Sequence, residues 1–341
     1  MRRRLRIFTW HVHGNYLWYL SLAAHDFYLP IAADRTDGYG GRGATFPFGT
    51  NVHDVPIEQV RDCEFDCLLF QSRRHFDRDQ YEILTSEQRM LPRIYLEHDP
   101  PQEHPTDTLH WAQDPEMLLV HVTPFNALMW NNGVTPTRIV DHGVMVPSDV
   151  RYRGHKPRGV VVINNLSTRG RRLGVDVFEE VRRHVPLDLV GMSAEDLDGI
   201  GEIKPPDLPE FIADYRFLFN PIRYTSLGLA VIEAMTIGLP IVGLATTEMV
   251  TAIENGVSGF VETDIGKLIA RMRQLLNDPP LARQLGEGAR RKALARFSVQ
   301  RFVNDWEQIF AEVAVNQRSV GLGPRETVND PLVEAHATST P

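Results

Sequence analysis

In the first 140 residues, apolar positions gather in short runs at 5–10, 67–70, 93–96, 118–122 and 137–140, separated by polar stretches rich in Pro and His. Runs of this length read as buried strands, and the helical stretches between some of them suggest α/β units. Between Met145 and Arg158 the pattern lapses into Pro147, Ser148, Asp149, Gly154, His155 and Pro157, the composition of a linker. Beyond it, 159–163 is a β-branched run suited to a parallel strand, and 174–184 reads as a helix with Val175, Phe178 and Val181 on one side. Strands at 187–190, 215–219 and 240–244 alternate with helices at 208–215 and 228–237, as in a doubly wound parallel sheet.

The reading divides the chain into a first domain at 1–148, a linker at 149–158 and a second domain at 159–297. An amphipathic helix at 298–315 follows, with Ser298 as N-cap and Val299, Phe302, Trp306, Ile309 and Val313 on one face. The last residues, 316–341, are too poor in apolar positions to offset the entropy of ordering and read as a flexible tail. Two open α/β sheets facing each other leave a cleft at the carboxyl ends of their strands, where ligands of such sheets bind.

Composition narrows the function. A length of 341 residues supports two cores, and a formal charge of −8 excludes a duplex-coating protein, which needs surplus Lys and Arg. The Arg-rich start is followed by an apolar stretch broken by His11, His13, Gly14 and Asn15, unlike an export signal. No uncharged run is long and apolar enough to suggest a membrane span, so the expected location is the cytoplasm, with peripheral membrane association at most. Cys63 and Cys67, the only cysteines, form no disulfide framework and read as inert thiols.

Chemistry concentrates at 225–247, where Glu233 is the single charge, set among Val231, Ile232, Ala234 and Met235. Burying an unpaired carboxylate costs several kcal/mol, so a partner is required. One candidate is an Arg or Lys from a neighbouring element. The other is a pair of adjacent hydroxyls, as on a ribose, with phosphates at the start of the same helix. Ser226, Leu227, Gly228 and Leu229 open that helix, and the small Gly228 would let a diphosphate approach backbone N–H groups.

The stretch from Phe219 to Val242 resembles the donor-binding signature of retaining GT-B glycosyltransferases, family 4 in particular. Pro221, Gly228, Glu233, Ala234, Met235, Gly238, Pro240 and Val242 fall in register with its pattern. The segment beginning Ile253-Glu254-Asn255-Gly256 and the run through Leu285-Gly286 to Phe297-Ser298 are similar too, as is Asp141-His142-Gly143-Val144 at the domain boundary. The resemblance implies an α/β GT-B fold of two Rossmann-like domains facing across a cleft, with the C-terminal helix crossing back to the first. It also implies transfer of a sugar from a nucleotide-diphosphate sugar, with retention and without a metal ion. The acceptor would be a sugar, a lipid-linked or a small molecule.

In that family the second Glu of an E-x7-E pair holds the ribose, and Glu233 occupies it. The first Glu is replaced by Thr225, which either contacts the donor sugar or caps the helix. Family members place cations after the first strand of the second domain. Arg169, Arg171 and Arg172 stand in that loop at a different spacing, either as a clamp on the leaving diphosphate or as a solvated basic turn. By the same resemblance His98 is the first active-site candidate of the first domain, ahead of Asp99 and Glu97, its bland alternative being a loop His bonded to backbone. His13, Gly14 and Asn15 border the acceptor side, and His11 with His13 on an extended segment ranks last as a metal pair. A GT-B sugar-nucleotide epimerase and a non-catalytic nucleotide-sugar-binding protein share these features.

Overall fold

In the computed structural model, which describes residues 3–36 and 38–320, the apolar runs pair into two wholly parallel sheets. The first contains β1 (Arg6–Thr9), β2 (Asp26–Ile31), β3 (Val52–Pro56), β4 (Cys67–Phe70), β5 (Arg93–Glu97), β6 (Met117–His121) and β7 (Thr137–Ile139), in the order β3-β2-β1-β4-β5-β6-β7. The second contains β8 (Lys156–Val162), β9 (Leu187–Val190), β10 (Tyr215–Asn220), β11 (Ile241–Leu244) and β12 (Gly259–Glu262), in the order β12-β11-β10-β8-β9. Both are doubly wound α/β sheets, as the alternation predicts. The central strands are buried on both faces, which is why β4 and β11 read as unbroken apolar runs and β6 and β10 as mostly apolar ones, broken by His121 in β6 and by Arg216 and Asn220 in β10.

Three strands, β2, β3 and β12, escape the sequence reading. Pro30 argues against a strand at 26–31, but it lies beyond Asp26, Phe27 and Tyr28, the residues that pair with β1, so that ladder loses no hydrogen bond. β3 and β12 are edge strands, where one unpaired flank admits polar residues such as His53, Asp54 and Glu262. β8 begins at Lys156, three residues before the expected start and inside the expected linker.

Among the described residues, six helices run for seven residues or more: α1 (Gly14–Leu20), α2 (Val175–Arg182), α3 (Leu229–Ile237), α4 (Ile265–Asn277), α5 (Pro279–Arg296) and α6 (Val299–Val320). The helix expected at 208–215 stops at Ile212, because Tyr215 already enters β10. α6 continues five residues past the expected end at 315, so 316–320 of the expected tail are helical; the rest of that tail lies outside the described residues. Ser298 caps α6 through the Arg301 N–H, at 3.4 Å.

α6 packs on the first domain: Phe302 and Trp306 meet the Tyr16 ring of α1, and Trp306 Nε1 donates to the Tyr16 hydroxyl at 3.0 Å. Trp306 is fully buried, and truncating such a residue to Ala costs about 3–5 kcal/mol. One core cluster joins Leu17 and Leu20 of α1, Val144, Leu227, Val231 of α3 and Trp306, so apolar packing ties the two sheets together. No helix among the described residues is long and apolar enough to cross a membrane.

Candidate functional site

Each sheet has one place where neighbouring strands send their connections in opposite directions, and a crevice opens there at the carboxyl ends. In the second sheet it lies between β8 and β10, which brings the loop carrying Arg169–Arg172 beside the loop 221–228. The two loops touch: Arg223 and Tyr224 donate their N–H groups to the Arg172 carbonyl. In the first sheet the switch lies between β1 and β4, so His11–Gly14 and Gln71 share that edge, with His98 one strand further along.

α3 starts at the second switch point. Its N-cap is Gly228, with φ −68°, ψ 137° and no side-chain cap, and a Cβ placed there would meet nothing within 4 Å. The space beside Gly228 at the start of α3 is thus open. Thr225, the alternative cap, sits three residues earlier in a bend and does not cap the helix. Ser226 shares that bend, Leu227 is buried in the core and offers only its backbone, and Leu229 opens the helix.

Glu233, one turn past Leu229, is 3% exposed and has no cation for a partner. The Tyr19 hydroxyl donates to its Oε1 at 3.0 Å and Asn15 Nδ2 to the same atom at 3.2 Å. Burial pushes this carboxyl up to about 7, and the Tyr19 and Asn15 bonds pull the other way. Asn15, expected on the acceptor side, therefore turns toward the carboxylate of α3. Tyr19 was missed altogether, although it stands four residues from Asn15 and so shares its face of α1.

The basic loop divides its arginines. Arg171 is spent on Asp176, at 2.5 Å, an acid that Arg223 also grips. Arg172 reaches across to Gln102 of the first domain. Among the described residues the Arg169 guanidinium makes no hydrogen bond or ion pair, and burial and the nearby Arg172 pull its pKa down while Asp99 pulls it up. A partly buried, unpaired guanidinium is a ready partner for an anion.

Opposite lies a cluster of imidazoles. His98 is 9% exposed, its ring centroid 3.8 Å from that of His13 and 4.9 Å from that of Tyr16. Gln71 donates to Thr9 Oγ1 and the Trp10 carbonyl, so its Oε1 accepts from His98 Nε2, at 3.1 Å. Burial first, then repulsion from His13 and His142, hold His98 well below its ordinary pKa, and burial lowers His13 as well. His98 is thus bonded to a side chain, unlike a loop His bonded to backbone. His142 joins the cluster through Tyr16, 5.6 Å away, and its two buried ring nitrogens lack hydrogen-bond partners.

One expectation changes here. His11 and His13 part company, since His11 Nδ1 pairs with the Gly41 carbonyl at 2.6 Å while His13 stacks on His98. Among the described residues no three His, Cys, Asp or Glu side chains gather as a metal site. Gly14 is required by packing, because a Cβ there would fall 2.2 Å from the Phe46 ring. Cys67 is buried with its thiol pKa raised by desolvation, and Cys63 is half-buried; both are free.

Behind His98 a pocket of about 550 Å³ runs into the first domain, lined by His13, Glu97, Asp99, Gln102, Trp111 and Trp130 among others. Asp99 offers its backbone on both sides, its N–H to Glu97 Oε1 at 2.9 Å and its carbonyl to Trp130 Nε1 at 2.8 Å.

Residues 194–292 match the family described as glycosyl transferases group 1. The chain is 31% identical over 112 residues to N-acetyl-alpha-D-glucosaminyl L-malate synthase of Bacillus anthracis, a match covering 32% of this chain and 29% of that protein. It is 26% identical over 110 residues to alpha-D-kanosaminyltransferase of Streptomyces kanamyceticus, covering 32% and 28%. The matches thus span less than a third of the length of these curated relatives. Among solved structures, sucrose-phosphate synthase from Thermosynechococcus elongatus superposes with a TM-score of 0.68 at 16% identity, over 92% of this chain and 100% of that one. Anabaena HepE in complex with UDP and glucose gives 0.64 at 14%, over 91% and 100%. These likenesses extend over nearly the whole chain and establish its fold.

Proposed function

Starting from a chain of GT-B fold whose residues 194–292 match the glycosyl transferases group 1, we propose that it moves a hexose-type sugar from a nucleotide-diphosphate sugar to an acceptor, retaining the anomeric configuration. The observation that carries this reading is the buried, cation-free carboxyl of Glu233 on a helix whose start opens into empty space. Both first-domain donors fall on Oε1, which leaves Oε2 for the two hydroxyls of a ribose. The diphosphate then lies at the N–H groups of Leu229 and Ala230, one turn from that carboxylate.

As the bond from the anomeric carbon to the diphosphate breaks, negative charge gathers on the phosphate oxygens. Arg169, unpaired beforehand, and Arg172, released from Gln102, meet it; the reading assigns this step no metal ion. The sugar projects toward His98, His13 and Asp99, with Thr225 on the donor side. The acceptor enters from the first domain, and apolar closure around Leu227 and Val231 keeps water from the donor.

Incubating the protein with a panel of UDP-, GDP- and ADP-sugars and mixed acceptors, while following free nucleotide diphosphate and a new glycoside, tests the proposal. A nucleotide sugar that is consumed only when an acceptor is present supports it. Isomerisation of a nucleotide sugar without acceptor, or no turnover and no binding across the panel, refutes it.

A further inference from the structure

The pocket behind His98 holds an acid that donor binding does not use. Glu97, at the end of β5, is 6% exposed and no cation pairs with it. Its two oxygens are held separately: Oε1 accepts the Asp99 N–H at 2.9 Å and Oε2 faces His110 Nε2 at 3.2 Å. His110 Nδ1 accepts the Ala112 N–H at 3.0 Å, so the ring proton sits on Nε2 and is donated to Glu97. This imidazole is neutral, since burial and the nearby Arg73 hold its pKa down to about 3. Two neutral donors orient the carboxyl, and burial pushes its pKa up to about 8.

Part of the wall around it is aromatic. Trp111, Trp130, Tyr95 and His110 form a connected cluster, with Trp111 and Trp130 edge to face at 5.1 Å and Tyr95 and His110 at 4.9 Å. The lining also includes the amides of Gln71, Gln102 and Gln113, groups that donate and accept alike. Arg73, the cation of this wall, is occupied by Asp77 at 2.9 Å and lies over the Trp111 ring. At about 550 Å³ the space lies within the usual range for a small-molecule site. Its mouth, at His13, His98 and Asp99, adjoins the place where the donor sugar is expected, and Gln102 links its rim to Arg172.

Aromatic faces suit the apolar C–H side of a pyranose ring, while a fixed carboxylate and reversible amides suit its hydroxyls. We propose that this pocket seats the acceptor as a saccharide ring against Trp111 and Trp130, with Glu97 accepting a hydrogen bond from one of its hydroxyls. The assignment of this saccharide as acceptor rests on the glycosyl-transfer reading, whereas the pocket's affinity for sugars does not.

The experiment titrates full-length protein with free glucose, galactose, mannose and N-acetylglucosamine, following tryptophan fluorescence, with a nucleotide diphosphate titrated separately by calorimetry. At a pH of about 9, above the Glu97 value of about 8, at least one sugar is expected to give a saturable change that is weakened about tenfold or more in Glu97→Gln, by loss of a hydrogen bond to a charged group. Trp111→Ala should abolish that change, and nucleotide affinity should stay within about twofold in both variants, since neither side chain is among those assigned to the nucleotide. Gln113→Ala, at the pocket wall, gives a second test if Glu97→Gln lowers the melting temperature. Absence of a saturable response to every sugar, or one that all three variants leave intact, overturns the inference. If sugars bind but no nucleotide does, the pocket assignment stands and the transferase reading falls; if nucleotide binds and no sugar does, the reverse holds.

Discussion

The hydroxyl of Tyr19, in the first domain, donates to Oε1 of Glu233, in the second, at 3.0 Å, and so joins the acid of α3 to the opposite wall of the cleft. The bond helps keep a desolvated carboxyl ionised near neutrality, where burial holds its pKa at about 7. Because a ribose donates two hydroxyls, it binds the carboxylate and not the acid. Nucleotide affinity is therefore expected to fall as pH drops below about 7. Tyr19→Phe raises the Glu233 pKa further and should weaken binding at pH 7 by roughly three- to tenfold, with recovery at higher pH. Calorimetry at three pH values checks both, and a flat profile contradicts the ribose assignment.

Replacing the acid itself separates charge from packing. Glu233→Gln keeps an oxygen for Tyr19 and Asn15 while removing a buried charge, so the melting temperature should hold or rise. Nucleotide binding should nevertheless weaken about tenfold or more, and Glu233→Ala more strongly still. Unchanged affinity in either variant would rule out contact with the ligand.

Gly228 and Gly174 make a contrast. Gly228 has φ −68° and empty space where a Cβ would stand, so Gly228→Ala should leave stability within about 0.5 kcal/mol while obstructing the diphosphate and weakening binding. Gly174 has φ +84° and the Pro221 carbonyl oxygen 2.0 Å from the Cβ position, so Gly174→Ala should cost roughly 2 kcal/mol or more. Urea unfolding with nucleotide titration distinguishes the two outcomes.

Neutralising Arg169 and Arg172 together, as Gln, should lower kcat more than it raises the KM for donor, since their charge is needed most when the diphosphate departs. Equal losses in kcat/KM and ground-state nucleotide affinity would reduce them to binding residues.

Stability should peak near pH 6.5. His98, His110, His121 and His142 are buried neutral, with folded pKa values below the ordinary 6.5, so the unfolded chain binds more protons in acid and stability falls as pH drops through that window. Glu97 and Glu233 act in the opposite sense. Their folded values, about 8 and about 7, exceed the ordinary 4.5, so the fold holds the extra protons and stability falls as pH rises toward 8. Between 4.5 and 6.5 these four imidazoles, joined by His13 and His25, whose values burial also lowers, oppose two carboxyls and prevail. Denaturant titrations from pH 5 to 8.5 report the result, and a stability that rises on acidification from 6.5 refutes it.

Most of the second sheet was legible because β10 and β11 are buried along their whole length and α2 is amphipathic, patterns that survive without tertiary context. β2 and β3 were not legible, since Pro30 is tolerated only where β1 has ended, and polar His53 and Asp54 only where β3 forms an edge. Within the site, Glu233 and Gly228 stood out as a lone charge and a small residue in an apolar run. Glu97 stood out only as one of several ionisable groups after a strand, since its His110 partner lies on another segment.

The sequence by itself determined where the helix with a solitary acid would lie, that two parallel sheets would flank a cleft, and which loop would carry the arginines. Those properties follow from local periodicity and burial. Tertiary structure alone decided that Tyr19 and Asn15, 214 and 218 residues away, would hold that acid, that Arg169 and not Arg171 would stay unpaired, and that His11 and His13 would diverge. Such contacts depend on how two separately folded sheets close on each other, and no spacing along one chain encodes the distance between them.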